Sequence, residues 1–164
     1  MRQSILDTLS PETRFRGFEG RVAEFVDLDI AATREILREA AEGRSRQWRE
    51  PLPGVRLFDF DGGERVREAH CGLVEMGPDA AFPRHDHSGD EWAFVLQGEG
   101  LEKGTGRVWK PGDLVHGEAG SSHEFRSVGR EPFVFVVVLE APIKVHKGSY
   151  IRNQARRLTR RTRS

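Results

Sequence analysis

Between residues 52 and 140 the chain is interrupted at regular intervals by turn-forming tripeptides, and this rhythm constrains the fold more than any other feature. Asp61-Gly62-Gly63, Gly77-Pro78-Asp79, Gly98-Glu99-Gly100, Gly104-Thr105-Gly106 and Pro111-Gly112-Asp113 punctuate it. Glycine supplies positive φ, proline fixes φ, and aspartate caps its own turn. Between them lie short segments rich in β-branched and aromatic residues: VRLFDF (55–60), RVREAHCGLVEM (65–76), WAFVLQ (92–97) and FVFVVVLE (133–140). Short strands with turn signals roughly every 8–12 residues pack as an antiparallel sandwich or barrel. No helical period competes there, so the fold class is all-β.

A length of 164 residues suits one domain with a core large enough to fold unaided. With 37% hydrophobic and 32% charged residues, the composition excludes a membrane protein and wholesale disorder. The first residues meet charges and a proline before any apolar run, so no signal peptide and no membrane span are expected. A cytoplasmic location follows as the default expectation. Cys71 is the only cysteine, which excludes an internal disulfide and any zinc site built on cysteine pairs. It reads as a small buried residue.

Ahead of the strands, Ile30, Thr33, Leu37 and Ala41 recur at helical spacing, with Asp29 at the start and Gly43 just past Glu42. These mark one short amphipathic helix. The expected organisation is an extension with one helix over 1–47, a barrel over 48–142, and a basic tail over 143–164. Net charge is zero but uneven: residues 141–164 carry eight cations and no acid, leaving 18 cations against 26 acids, a net −8, in the rest. Within the tail Ile151, Ala155 and Leu158 have helical spacing, so a short basic amphipathic helix and a solvated terminus are both open readings. Without aromatic interleaving or a recognition motif, a nucleic-acid partner is not expected.

The chemistry concentrates in residues 77–127. His85 and His87 are two apart in a region that reads as strand, and residues two apart share a face. After a Ser-Gly-Asp turn Glu91 opens the next strand, so one hairpin presents two imidazoles and a carboxylate to one point. The spacing H-x-H-x-x-x-E is expected by chance about 0.02 times in a chain of this composition. His123, after a further glycine-containing turn, is the fourth donor. Three nitrogens and a carboxylate suit a transition metal better than calcium. If alternation holds, Ala93 and Val95 follow Glu91 inward and Phe125 and Ser127 follow His123, giving a mainly apolar pocket for a small molecule. His116, seven residues before His123, is placed on the pocket wall, with a surface histidine as the other reading.

These residues resemble the two signature motifs of the cupin superfamily. The first, G-x5-H-x-H-x3,4-E-x6-G, runs here from Gly77 to Gly98 with two extra residues before His85. The second, G-x5-P-x-G-x2-H-x3-N, runs from Gly112 through Gly120 to His123, with Glu118 and Ser127 at its proline and asparagine positions. More narrowly, Trp48, Pro53-Gly54-Val55, Phe82-Pro83-Arg84-His85-Asp86-His87 and Gly120-Ser121-Ser122-His123 are similar to ChrR-type cupins, over roughly residues 48–140. The resemblance implies a double-stranded β-helix (jelly-roll barrel), one divalent metal ion (Zn, Fe(II), Mn or Ni) on His85, His87, Glu91 and His123, and a homodimer formed through an outer sheet. Anti-sigma proteins of the ChrR type also carry a helical zinc domain with histidine and paired cysteines, and residues 1–47 have neither, so sigma-factor capture is not implied. Two functions stay open: a mononuclear metal-dependent enzyme, dioxygenase-like, acting on a small organic molecule, and a non-catalytic zinc-binding sensor or regulatory module answering to an effector.

Overall fold

The computed structural model describes residues 10–11 and 13–146. Two helices, α1 (Glu19–Val26) and α2 (Ile30–Glu42), precede eleven strands. The strands are β1 (Trp48–Leu52), β2 (Val55–Phe60), β3 (His70–Met76), β4 (Ala81–His87), β5 (Glu91–Gln97), β6 (Glu99–Glu102), β7 (Val108–Trp109), β8 (Leu114–Gly117), β9 (Ser122–Val128), β10 (Phe133–Leu139) and β11 (Ile143–Val145). All pair antiparallel, in one sheet of order β1-β2-β3-β10-β5-β8 and a second of order β11-β4-β9-β6-β7. Pairing continues to Val145, three residues past the expected barrel boundary.

The two sheets face each other across a core that takes Leu57, Val74, Val95 and Phe135 from the first and Phe82 and Phe125 from the second. The first sheet is covered on its other face as well. Leu73, Phe94, Val134 and Val136 pack there against Val22, Val26 and Leu37 of the helices. This double cover explains why every residue of β10 is buried, an unbroken apolar run where a one-sided strand would alternate. Each leucine-sized side chain taken out of water there contributes roughly 1.5–3 kcal/mol.

Helix α2 begins and ends where its sequence signals stand. The Asp29 side chain accepts the Ala32 N–H at 2.8 Å, satisfying one of the first turn's free donors. Gly43, at φ 68°, closes the helix in the left-handed region. Helix α1 is an addition to the one helix expected. It has no side-chain cap at Phe18, and its buried residues Val22, Ala23 and Val26 cover barely more than one turn. Packing on the sheet holds it: Phe25 and Phe18 lie 6.2 and 5.6 Å from the Phe94 ring. Because α1 and α2 cover the outer face of the first sheet, the outer face that no described element covers is that of the second, where Lys103, Glu124 and Arg126 stand on the surface. Among the described residues no helix is long and apolar enough to cross a membrane. The expected tail helix falls on 147–164, outside the described residues.

Candidate metal centre

The site joins the two sheets at one end of the barrel. β4 supplies His85 and His87, β9 supplies His123 directly opposite His85 in the register, and Glu91 is the first residue of β5 in the other sheet. A bulge sets the aim of β4. Phe82 pairs with Phe125 and His85 with His123, so β4 spends one residue more than β9 between the two pairs. Pro83, with no N–H to give a ladder, sits in that bulge. Phe82 and His85 therefore both face inward, their rings 4.8 Å apart, although they are three residues apart in sequence.

His85 and His87 are buried to 1% and 2% exposure and Glu91 to 8%. One donor atom from each of the four residues lies within 4.8 Å of the others. Donors about 2.0–2.2 Å from one ion stand at most about 4.4 Å apart, so the cluster has to contract by a few tenths of an ångström to close on a metal.

Hydrogen bonds fix the tautomers of two of the rings. Pro83 O can only accept, so the His85 Nδ1, 2.9 Å away, carries the proton. The Ser121 hydroxyl spends its own proton on Glu118 O at 2.6 Å, so it accepts from His87 Nδ1 at 3.1 Å. His123 Nδ1 faces the Glu102 carboxylate at 3.4 Å. The rings of His85 and His87 thus turn a bare Nε2 lone pair inward, the state that a metal ligand needs. His87 Nε2 and His123 Nε2 are buried without any hydrogen-bond partner. The nearest Glu91 oxygens stand 3.7 Å from the first and 3.9 Å from the second.

Electrostatics agree with that assignment. Burial lowers the His85 pKa to about 3, helped by the neighbouring His123, and burial lowers His123 to about 4. His87 is lowered as well, again by burial. Burial pushes Glu91 up to about 7. Three neutral imidazoles and a carboxylate short of solvent form a set that a divalent cation completes.

Ala93, Val95, Phe125 and Ser127 are all buried, as inward-facing residues should be. Ala93 and Val95 belong to the packed core, and of the four only Phe125 lines the cavity beside the cluster. That cavity measures about 20 Å³ and is walled by apolar side chains together with His85 and Glu91. It is room for a water or a diatomic molecule. His116 is not on the pocket wall. Val115 and Gly117 take the inward positions of β8, which turns His116 outward, where it stacks on Trp92 at 3.8 Å and 5°. Its phase comes from pairing with β5, Trp92 opposite His116, and cannot be counted back from His123 across a turn.

Sequence reasoning missed the residues that hold the ligands. Gly117 is the clearest: a Cβ there would lie 2.6 Å from His87 Cε1 and 2.9 Å from its Nδ1. Ser121, Glu118 and Glu102 are the others; the first two fall inside the second motif, but its spacing gives them no role because each acts across a turn or between strands. The histidines outside the cluster have partners: His70 lies 2.9 Å from Asp59, and His146 lies 2.7 Å from Asp86. Burial opposes ionisation of Asp59, but hydrogen bonds from His70 and Arg49 bring its pKa down to about 2.

Comparison with known proteins bears on the fold. Residues 72–139 match the model of the family described as "Cupin domain". No curated protein sequence matches the chain. Among solved structures, a chain of Rhodobacter sphaeroides SigE in complex with the anti-sigma ChrR is 24% identical, with a TM-score of 0.51 over 59% of this chain and 52% of that one, about half its length. An acetylacetone dioxygenase from Acinetobacter johnsonii is 14% identical, with a TM-score of 0.53 over 73% of this chain and 89% of that one. An RmlC-like cupin protein from Ralstonia eutropha is 20% identical, with a TM-score of 0.55 over 70% and 80%. At these identities the shared property is the fold.

Proposed function

Taking as premise that the chain belongs to the cupin superfamily through residues 72–139, we propose that it binds one divalent metal ion on His85, His87, Glu91 and His123 and works as a mononuclear metal-dependent enzyme, dioxygenase-like, on a small organic molecule. The supporting observation is the fixed tautomer of His85 and His87, whose Nδ1 atoms are engaged and whose rings join His123 and Glu91 in one four-donor cluster.

Among the described residues the burial pattern leaves the centre open on the side of Glu91 and His123. The His87 side chain is fully sealed, whereas those of Glu91 and His123 each keep 11% exposure, so an outside ligand approaches between these two. On the inner side the apolar cavity excludes all but the smallest molecules. An ion held there supplies Lewis acidity to whatever small molecule it binds. The protein's part is to hold four donors in place, present Glu91 and His123 at the opening, and keep bulk water from the inner side. The similarity in fold to an acetylacetone dioxygenase shows that a barrel of this kind accommodates such chemistry elsewhere.

A second reading is a zinc-stabilised sensor or regulatory cupin, with no turnover. It is favoured by the 20 Å³ cavity, which holds no organic substrate in this conformation, and by the likeness to the chain from the ChrR complex. Four protein ligands close tetrahedral zinc, whereas a five- or six-coordinate ion keeps positions open. Metal analysis of protein purified without added metal, followed by oxygen uptake with diketones, thiols and catechols, separates the two. Iron, manganese or nickel with substrate-dependent uptake supports the enzyme. Stoichiometric zinc with no uptake, and a cobalt-substituted spectrum indifferent to azide, supports the sensor and ends the enzyme reading.

A further inference from the structure

We propose that Glu102 is a positioning residue of the metal centre, holding His123 in its metal-binding tautomer and supplying the second negative charge that balances a divalent ion. The inference rests on the metal-binding reading above and extends it to a residue outside both sequence motifs.

Three observations lead there. First, the three histidines are braced by different chemistry: His85 by a backbone carbonyl, His87 by a hydroxyl, and His123 by a carboxylate, with Glu102 Oε1 3.4 Å from His123 Nδ1. That separation is longer than a formed N–H···O bond, within reach of a small ring rotation. Second, the carboxylate is itself held. Thr105 Oγ1 donates to Glu102 Oε2 at 2.5 Å, the Arg107 N–H donates to Thr105 Oγ1 at 3.2 Å, and the Glu102 N–H donates to Arg107 O at 2.8 Å. The β6–β7 turn is thereby tied to the metal ligand, and only 17% of the Glu102 side chain is exposed. Third, the charges balance. A divalent ion with Glu91 alone leaves a net positive charge in a site of neutral imidazoles, and burying a net charge is costly. Glu102 brings the sum to zero. Carboxylate–histidine–metal relays raise ligand basicity, and their loss costs about 10–100-fold in metal affinity.

The experiment compares the full-length protein with E102Q and E102A by chelator-competition titration with zinc and cobalt, alongside melting of the metal-free forms. Glutamine keeps the shape and an acceptor oxygen but removes the charge, so a merely structural Glu102 is rescued by E102Q. The expected result is a weakening of about 10-fold in E102Q and up to about 100-fold in E102A, an altered cobalt absorption spectrum in both, and an unchanged melting temperature for metal-free E102Q. Should E102A fail to fold, E102Q carries the comparison alone. Wild-type affinity and spectrum in E102Q would overturn the assignment while leaving the metal site standing. Absence of binding in the wild type would overturn the metal reading and this one with it.

Discussion

Replacing Glu91 by glutamine is expected to stabilise the metal-free protein and to abolish tight metal binding, two opposite effects from one atom. In the metal-free fold burial holds the Glu91 pKa at about 7, against 4.5 for an unperturbed glutamate. A carboxyl with a raised folded-state pKa favours the folded state in its protonated form. Its penalty is therefore absent below pH 4.5, grows as pH rises towards 7, and is complete above that, at on the order of 3 kcal/mol. His85 and His123, lowered from 6.5 to about 3 and 4, add a slope of opposite sign up to about pH 6.5, but it is the same in both proteins and cancels in their difference. Metal-free E91Q should melt roughly 5–10 °C above metal-free wild type at pH 8, with the gap closing towards pH 4.5. Saturating metal should reverse the order, because a ligand at a thousand times its dissociation constant adds about 4.1 kcal/mol to the form that binds it, more than the penalty. The loss of affinity in E91Q should exceed the roughly 10–100-fold typical of an outer partner. Thermal melts at pH 5 and pH 8, with and without metal, check this; equal melting of the two metal-free proteins at pH 8 would contradict it.

The second large effect is expected at a residue with no functional group. Gly117 lies opposite Glu91 on β8, and its missing side chain is the space that the His87 ring occupies. Alanine there puts a carbon 2.6 Å from His87 Cε1, with the ring confined on its other side by the Ser121 hydroxyl and by backbone bonds from His87 N to Ser121 O and from Gly120 N to His87 O. The ring has to leave its position or β8 has to move. Overpacking of this kind costs about 1–3 kcal/mol, and displacing His87 removes a ligand outright. G117A should fold with lowered stability and bind metal at least about 100-fold more weakly, more than the loss of an outer-shell contact explains. Circular dichroism and metal titration read the two effects separately. Wild-type affinity in a folded G117A would show that His87 does not contribute.

These two residues mark what was legible in the sequence and what was not. Glu91, His85, His87 and His123 were visible because a hairpin and a facing strand need fixed spacings, and helix α2 because its cap, period and stop agree. Strand limits were readable where turn residues flank them, as at Val55–Phe60. Contacts that depend on pairing between distant strands left no such trace. Gly117 looks like any turn glycine until β8 is laid beside β5, and His116 loses its phase across the turn that precedes His123. The bulge at Pro83 brings Phe82 inward against simple alternation. Helix α1 has neither a cap nor enough turns to announce itself; it is held by Phe94, seventy residues away in the chain. Such features are properties of the packed tertiary structure, so a local pattern does not contain them.

The proposed chemistry rests on one divalent ion held by these four side chains. The most direct test is elemental analysis of full-length wild type and H85A after chelator stripping, reconstitution with a divalent metal and removal of the excess. His85 is 1% exposed, its ring lies 4.5 Å from that of His123, and it belongs to the four-donor cluster. One ion per chain in the wild type and almost none in folded H85A is the predicted result. A metal-free wild type, or equal metal in both proteins, would contradict the account.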